Sequence, residues 1–167
     1  MKCTRTCAPA HTRLAYLRSS LLTESTCVQG LLGKDHIEVA TMLNNMAGVR
    51  LKRGECDETV EMLCHDAYRI KSQTLGTDHV QVAEILNNLA LLRQMQGDTT
   101  EALNLTQQAL VMQEGKWGRS HVSTAHTLHC KALFHQAEGD TDEAVQLCKE
   151  AIKVSTYLGV TRCALTA

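Results

Sequence analysis

The chain has 167 residues and a mass of 18.4 kDa, which is the size of one ordinary domain. Its 17 Lys and Arg residues nearly balance 18 Asp and Glu residues, and the net charge of −1 gives no indication of a polyanionic partner. Aromatic residues make up only 3% of the chain and there is a single proline, which argues against a β-sandwich or barrel and favours an all-α protein. No run of about 18 apolar residues occurs, so a membrane-spanning helix is not expected.

The amino-terminal segment, residues 1–23, contains no acidic residue. Its four basic residues stand among Ser, Thr and Ala, a composition typical of organellar transit segments; they are Lys2, Arg5, Arg13 and Arg18. The pattern is also consistent with a flexible basic segment over residues 1–12 and an ordinary helix over residues 13–31. The chain is expected in the cytoplasm, or in a mitochondrion or other organelle if residues 1–23 direct it there.

A motif that begins with Leu-Gly or Trp-Gly and ends in histidine recurs along the rest of the chain. Its copies are Leu32–His36, Leu75–His79 and Trp117–His121, and Leu158 and Gly159 begin a fourth. The glycines of successive copies are 43, 42 and 41 residues apart. A second glycine follows the first by 21 residues in each complete unit, so each unit divides into two halves with the length of one helix.

Both halves of the units have helical periodicity. Apolar residues of the first halves fall at i, i+3, i+4, i+7 and i+8, which is one face of a helix: Val39, Met42, Leu43, Met46 and Ala47, then Val82, Ile85, Leu86, Leu89 and Ala90. Smaller residues repeat the pattern in the second halves, which pack against the first: Ala102, Leu105, Ala109 and Leu110, then Ala144, Leu147, Ala151 and Ile152. We expect helix pairs over residues 32–74, 75–116 and 117–158, with a tail or the start of a truncated repeat over residues 160–167.

Capping residues mark the expected helix ends. Four aspartates each precede a Glu or Gln by three residues, the spacing of a capping box; they are Asp35, Asp78, Asp98 and Asp140. Glycines just past helix ends are expected in the left-handed conformation, at Gly33, Gly76, Gly118 and Gly159. The motif histidines are expected to cap helices or to pack between repeats rather than to bind a ligand: His36, His79 and His121.

These residues resemble a known repeat family. The motif Leu32–His36, followed by VATMLNNMA at Val39–Ala47 and by LNNLALL at Leu86–Leu92, is similar to the long tetratricopeptide repeats of kinesin light chains and nephrocystins. The run GDTDEA at Gly139–Ala144 resembles the signature of the second helix of the repeat. The resemblance implies an all-α, right-handed α-solenoid of helix-turn-helix repeats over residues 13–159, with about three 42-residue repeats and a partial leading helix in residues 13–31.

The sequence departs from the family pattern in all three repeats. The family usually has proline after the loop histidine, where this chain has Ile37, Val80 and Val122. Polar residues replace aromatic residues of the first helices, at Arg50, Arg93 and His135. Lys131 stands at a core position that a lysine can occupy only if its ammonium group reaches the surface. We therefore expect a diverged array of modest stability.

The resemblance also implies a concave groove, lined by the first helices, that binds an extended partner peptide. In the family, an asparagine of the first helix commonly bonds the peptide backbone; Asn44 and Asn87 match it, and His129 stands there in the third repeat. The expected groove residues are Thr41, Asn44, Lys52, Glu84, Asn87, Leu91, Gln94, His126, His129, Leu133 and Gln136. The alternative that Asn44 and Asn87 bond only neighbouring helices stays open.

Other chemistries are weakly indicated. The spacing of His126, His129 and Cys130 makes them weak candidates for metal ligands, but no acidic ligand accompanies them, and we expect neither a metal nor a cofactor. The chain lacks a glycine-rich phosphate loop and a nucleophile elbow, so it is not expected to be an enzyme. The eight cysteines do not form a short disulfide framework, and we expect reduced thiols, with Cys148 serving as a small apolar residue.

Two functions are consistent with the sequence. The first is a non-enzymatic adaptor, similar to kinesin light chain, that binds a protein or peptide partner in the groove. The alternative is a structural subunit or assembly factor of a larger complex, potentially organellar, or a piece of a longer repeat protein. Nucleic acid is not an expected partner, because residues 24–167 have a net charge of −5 and the few aromatic residues form no stacking platform.

Overall fold

The computed structural model describes residues 32–157. Six α-helices and no strand occur in that range: α1 (Ile37–Lys52), α2 (Glu58–Leu75), α3 (Val80–Met95), α4 (Thr99–Trp117), α5 (Val122–Glu138) and α6 (Thr141–Tyr157). Each of the three predicted units holds a pair of helices, although α2 and α4 extend one residue past the predicted ends at 74 and 116, and the all-α repeat architecture is confirmed. The segments predicted for residues 1–12, 13–31 and 160–167 lie outside the described residues, as does Gly159.

Consecutive helices pack against one another along the whole array. In addition, α1 contacts α3 and α3 contacts α5, whereas no contact joins α2 to α4 or α4 to α6 within residues 32–157. Because only the first helices of the repeats approach one another, they form the inner, more tightly curved face of the solenoid. The second helices form its outer face, as expected for an array in which each repeat contacts only its neighbours.

Small side chains allow the paired helices to approach closely. Alanines of α2 and α4 are completely buried, and so are alanines of the facing first helices. Leu110, Leu128 and Leu147 join α4, α5 and α6 in one apolar cluster, and Cys148 packs against it as the sequence predicted. The prediction that Ile152 packs in the same way is wrong, because half of its surface is exposed and no described helix lies beyond that face of α6.

The first helices begin at the motif histidines, which confirms the capping role expected for these residues, whereas the prediction that Asp35 and Asp78 cap the same helices is wrong. His36, His79 and His121 are the N-cap residues, and the Nδ1 atom of each accepts a hydrogen bond of 3.2 Å from the backbone N–H two residues later. Asp35 and Asp78 lie one residue too early to cap these helices. An imidazole nitrogen replaces the usual carboxylate because the backbone of the histidine is extended, as an N-cap requires.

Two of the second helices, α4 and α6, begin as predicted, whereas α2 begins after Asp57, which was not predicted as a cap. Asp98 accepts a hydrogen bond of 3.0 Å from the N–H of Glu101, and Asp140 accepts one of 3.3 Å from the N–H of Glu143. Helices α4 and α6 therefore start at the capping residues that the spacing indicated.

The loop glycines have positive φ angles, but two of them are not in the left-handed helical conformation that we expected. Gly76 has φ 92° and ψ 156°, and Gly118 has φ 75° and ψ 175°. This region of backbone conformation is essentially restricted to glycine. The chain thus turns from α2 into α3, and from α4 into α5, through an extended glycine.

Candidate functional site

All eleven predicted groove residues lie on the inner helices α1, α3 and α5. Their exposure varies. Asn44 is only 7% exposed, whereas Asn87, Leu91 and Gln94 on α3 are half-buried. The four groove residues of α5 are all exposed: His126, His129, Leu133 and Gln136.

Asn44 is engaged within the protein. The Nδ2 atom of Asn88 donates a hydrogen bond of 2.8 Å to Asn44 Oδ1 and one of 3.2 Å to its main-chain oxygen. Gly48 lies beside this pair, since a Cβ atom built on it would be 3.5 Å from the amide of Asn88. In the first repeat, Asn44 therefore links α1 to α3.

Asn87 is part of a second polar network. Its Nδ2 atom donates to Thr127 Oγ1 at 2.8 Å, and this hydroxyl donates to Gln113 Oε1 at 2.8 Å. The network connects α3, α5 and α4 through the buried side chains of Thr127 and Gln113. Asn87 Oδ1 itself is buried and has no donor among residues 32–157.

Gln94 carries a second oxygen without a donor. Its Oε1 atom is also buried and unpartnered within residues 32–157. Asn87, Leu91 and Gln94 are spaced one turn apart on one face of α3. The inner face of α3 thus presents two acceptors that lack donors, on either side of an apolar side chain.

Lys71 is a polar residue of the core that the sequence reasoning missed. It lies on α2, is only 2% exposed, and its pKa is lowered because burial disfavours the charged form, an effect that Glu84 and Glu38 partly offset. Gln113 is buried 42 residues later, at the corresponding position of α4. Lys71 and Gln113 occupy the same position in successive second helices, within a face that is otherwise apolar. This recurrence is the sequence signal that could have identified them as buried polar residues.

The histidines of α5 do not converge into a cluster of three metal ligands. The Sγ atom of Cys130 lies 3.9 Å from Nδ1 of His126. No group of three His, Cys, Asp or Glu side chains in residues 32–157 could hold one ion. Lys131 reaches the surface as predicted, because its Nζ atom donates to Gln107 Oε1 at 3.0 Å.

Polar residues at the expected aromatic positions form ion pairs. Arg93 binds Glu61 of the preceding repeat at 2.9 Å, and its guanidinium group lowers the pKa of that carboxyl. Arg50 forms a hydrogen bond with Thr59 and an ion pair with Glu55 at 3.1 Å. Charged contacts at these positions thus join first and second helices in place of aromatic packing.

The described cysteines are free thiols: Cys56, Cys64, Cys130 and Cys148. Burial raises the pKa of Cys64 to about 11 and also raises that of Cys130. Neither is therefore a ready nucleophile at neutral pH. The other four cysteines lie outside the described residues, and none of the described helices is both long and apolar enough to cross a membrane.

Comparison with known proteins agrees with this architecture. Two family models, each described as tetratricopeptide repeat, match residues 38–114 and 124–156. No curated protein matches the chain. Proteins built from these repeats are generally protein-binding scaffolds without catalytic activity.

Two solved structures have the same fold. The crystal structure of BtubC (BKLC) from P. vanneervenii is 19% identical, with a TM-score of 0.65 over 85% of this chain and 57% of that one. A protein of Podosopora anserina with nearly identical TPR-like repeats, described as a kinesin light chain, is 25% identical, with a TM-score of 0.64 over 74% of this chain and 58% of that one. The chain thus spans less than two thirds of either protein. The family matches, the six helices and these neighbours together show that the chain belongs to the tetratricopeptide repeat family and resembles kinesin light chain.

Proposed function

We propose that the protein is a non-enzymatic adaptor that binds an extended peptide of a partner protein along the inner face of its repeats. The observation that carries this proposal is the pair of unpartnered oxygens on α3, Asn87 Oδ1 and Gln94 Oε1. A buried acceptor without a donor costs about 1–3 kcal/mol, which an incoming N–H group recovers. A peptide backbone supplies such donors whatever its side chains are.

The two amides differ in how readily they can reach a peptide. The side chain of Gln94 makes no hydrogen bond within residues 32–157 and the residue is half-buried, so rotation of this side chain brings its oxygen to the surface. Asn87 must keep or exchange its bond to Thr127 as it rotates. Leu91 between them offers an apolar contact for one side chain of the peptide. Asn44 contributes less to binding, because Asn88 already occupies its oxygen.

An affinity purification from native lysate tests this proposal. The wild-type chain is compared with Gln94→Ala and Asn87→Ala, and the retained proteins are identified by mass spectrometry. Gln108→Ala is the matched control, since it makes the same type of change at an exposed position of the outer helix α4. Proteins that both inner-face variants lose and the control retains are the expected result. Equal retention by all four chains contradicts binding in the groove.

A structural subunit of a larger complex is the second candidate function. Val145 and Ile152 on α6 are each 50% exposed, although Leu110, which corresponds to Ile152 one repeat earlier, is buried against α5. This apolar face favours burial against another protein through α6. If Val145→Asp together with Ile152→Asp abolishes retention of partners that the groove variants keep, the subunit function is supported and the adaptor function is not.

A further inference from the structure

His126 and Cys130 form a close pair of soft side chains on the third repeat. They lie one turn apart on α5, with 3.9 Å between Nδ1 and Sγ. His126 is exposed on the inner face and Cys130 is half-buried beside it. The corresponding positions of the first two repeats hold Thr41 and Asn45, and then Glu84 and Asn88, so the pair is particular to the third repeat.

The separation of the two atoms is close to that required by a bound metal ion. Zn²⁺ binds thiolate sulfur at about 2.3 Å and imidazole nitrogen at about 2.0–2.1 Å, and tetrahedral geometry then places the two ligands about 3.6 Å apart. The observed pair therefore has to close by only a few tenths of an ångström. Because both residues project from the same side of one helix, no rearrangement of the backbone is needed.

We propose that His126 and Cys130 bind one Zn²⁺, or another divalent ion of similar softness, as a two-residue chelate on the inner face of the third repeat. Nδ1 of the neutral imidazole donates its lone pair, and the Cys130 thiol loses its proton to solvent as the sulfur binds the ion. No third protein ligand converges on the pair within residues 32–157, so water completes the coordination.

The electrostatic surroundings act on the two ligands in opposite directions. His126 has an exposed surface, but the protein around its ring removes part of the hydration, which lowers its pKa; the nearby His129 and Lys52 lower it further, and the imidazole is left neutral and available. Burial raises the pKa of Cys130, so the ion has to displace a firmly held proton. The ammonium group of Lys52 also repels a cation. The raised pKa of Cys130, the repulsion by Lys52 and the small number of ligands make the affinity for Zn²⁺ modest. Lys52→Gln should raise this affinity.

Metal protection of Cys130 from alkylation tests the proposal in the full chain. The chain is treated with iodoacetamide in metal-free buffer, with and without Zn²⁺, and then digested with trypsin. Cleavage after Arg119 and Lys131 gives a peptide in which Cys130 is the sole cysteine, and the next peptide contains Cys148 as an internal control. We expect Zn²⁺ to slow alkylation of Cys130 by about tenfold or more, because the bound thiolate is unavailable, and to leave Cys148 unchanged.

Two variants decide whether the effect comes from this pair. His126→Gln should abolish the protection, and His129→Gln, on the same helix but outside the pair, should retain it. The rate of alkylation of Cys130 without metal reports whether each variant keeps its local structure. Equal rates with and without Zn²⁺ in the wild-type chain, or full protection in His126→Gln, would overturn the proposal.

Discussion

At the scale of single residues, the buried polar side chains show what a sequence can and cannot predict. The resemblance to the repeat family placed Asn44 and Asn87 on first helices of the repeats, and they lie on α1 and α3. It could not predict that Asn88 would bond Asn44, because that bond depends on the close approach of α1 and α3 beside Gly48. The pattern of one helix carries no information on its distance from the helix of another repeat.

Lys71 gives a prediction at the same scale. Burial of its ammonium group opposes folding, so Lys71→Met should raise the free energy of unfolding by about 1–2 kcal/mol, and urea denaturation measures it. Lys149→Met, at an exposed position of α6, is the control and should have little effect.

The folded state lowers the pKa of Lys71 below its usual 10.5 and so binds fewer protons than the unfolded state. Stability of the wild-type chain should therefore rise as the pH increases through the interval between the lowered pKa and 10.5, and this rise should be smaller in Lys71→Met.

At the scale of the helices, periodicity predicted where each helix lies better than it predicted how each one starts. The apolar stripes placed α1, α3, α4 and α6 in the expected halves of the units, and the spacing of the glycines placed α2 and α5. In the first two loop motifs an aspartate stands directly before the histidine, so a difference of one position decides which of the two residues caps the helix. The histidine is the N-cap because its backbone takes up the extended conformation directly before α1, α3 and α5.

The capping histidines can be tested against the adjacent aspartates. His79→Ala removes the acceptor of the Gln81 N–H and should cost about 1 kcal/mol of stability. His79→Asn keeps an N-cap acceptor and should restore most of the loss, whereas Asp78→Ala should have little effect. Thermal unfolding of the three variants measures the differences. A larger loss for Asp78→Ala than for His79→Ala would show that the aspartate dominates the start of α3.

At the scale of the whole molecule, stability depends on the interfaces between neighbouring repeats, because within residues 32–157 the helices of the first repeat do not pack against those of the third. Phe134 on α5 is 2% exposed and packs with Ala90 of α3 and Ala102 of α4, so it holds the third repeat on the second. Phe134→Ala should cost about 3–5 kcal/mol of stability, the range for a buried phenylalanine whose removal leaves a cavity.

Since α1 and α2 do not pack against α5, the loss of stability in Phe134→Ala should appear first in the third repeat. Hydrogen exchange followed by mass spectrometry should find faster exchange in α5 and α6 and nearly unchanged exchange in α1 and α2. Leu133→Ala, at the exposed neighbouring position, should leave exchange unchanged throughout. Equal acceleration in all six helices of Phe134→Ala would instead mean that the repeats unfold as one cooperative unit, in which case a partner bound on any repeat would stabilise the whole array.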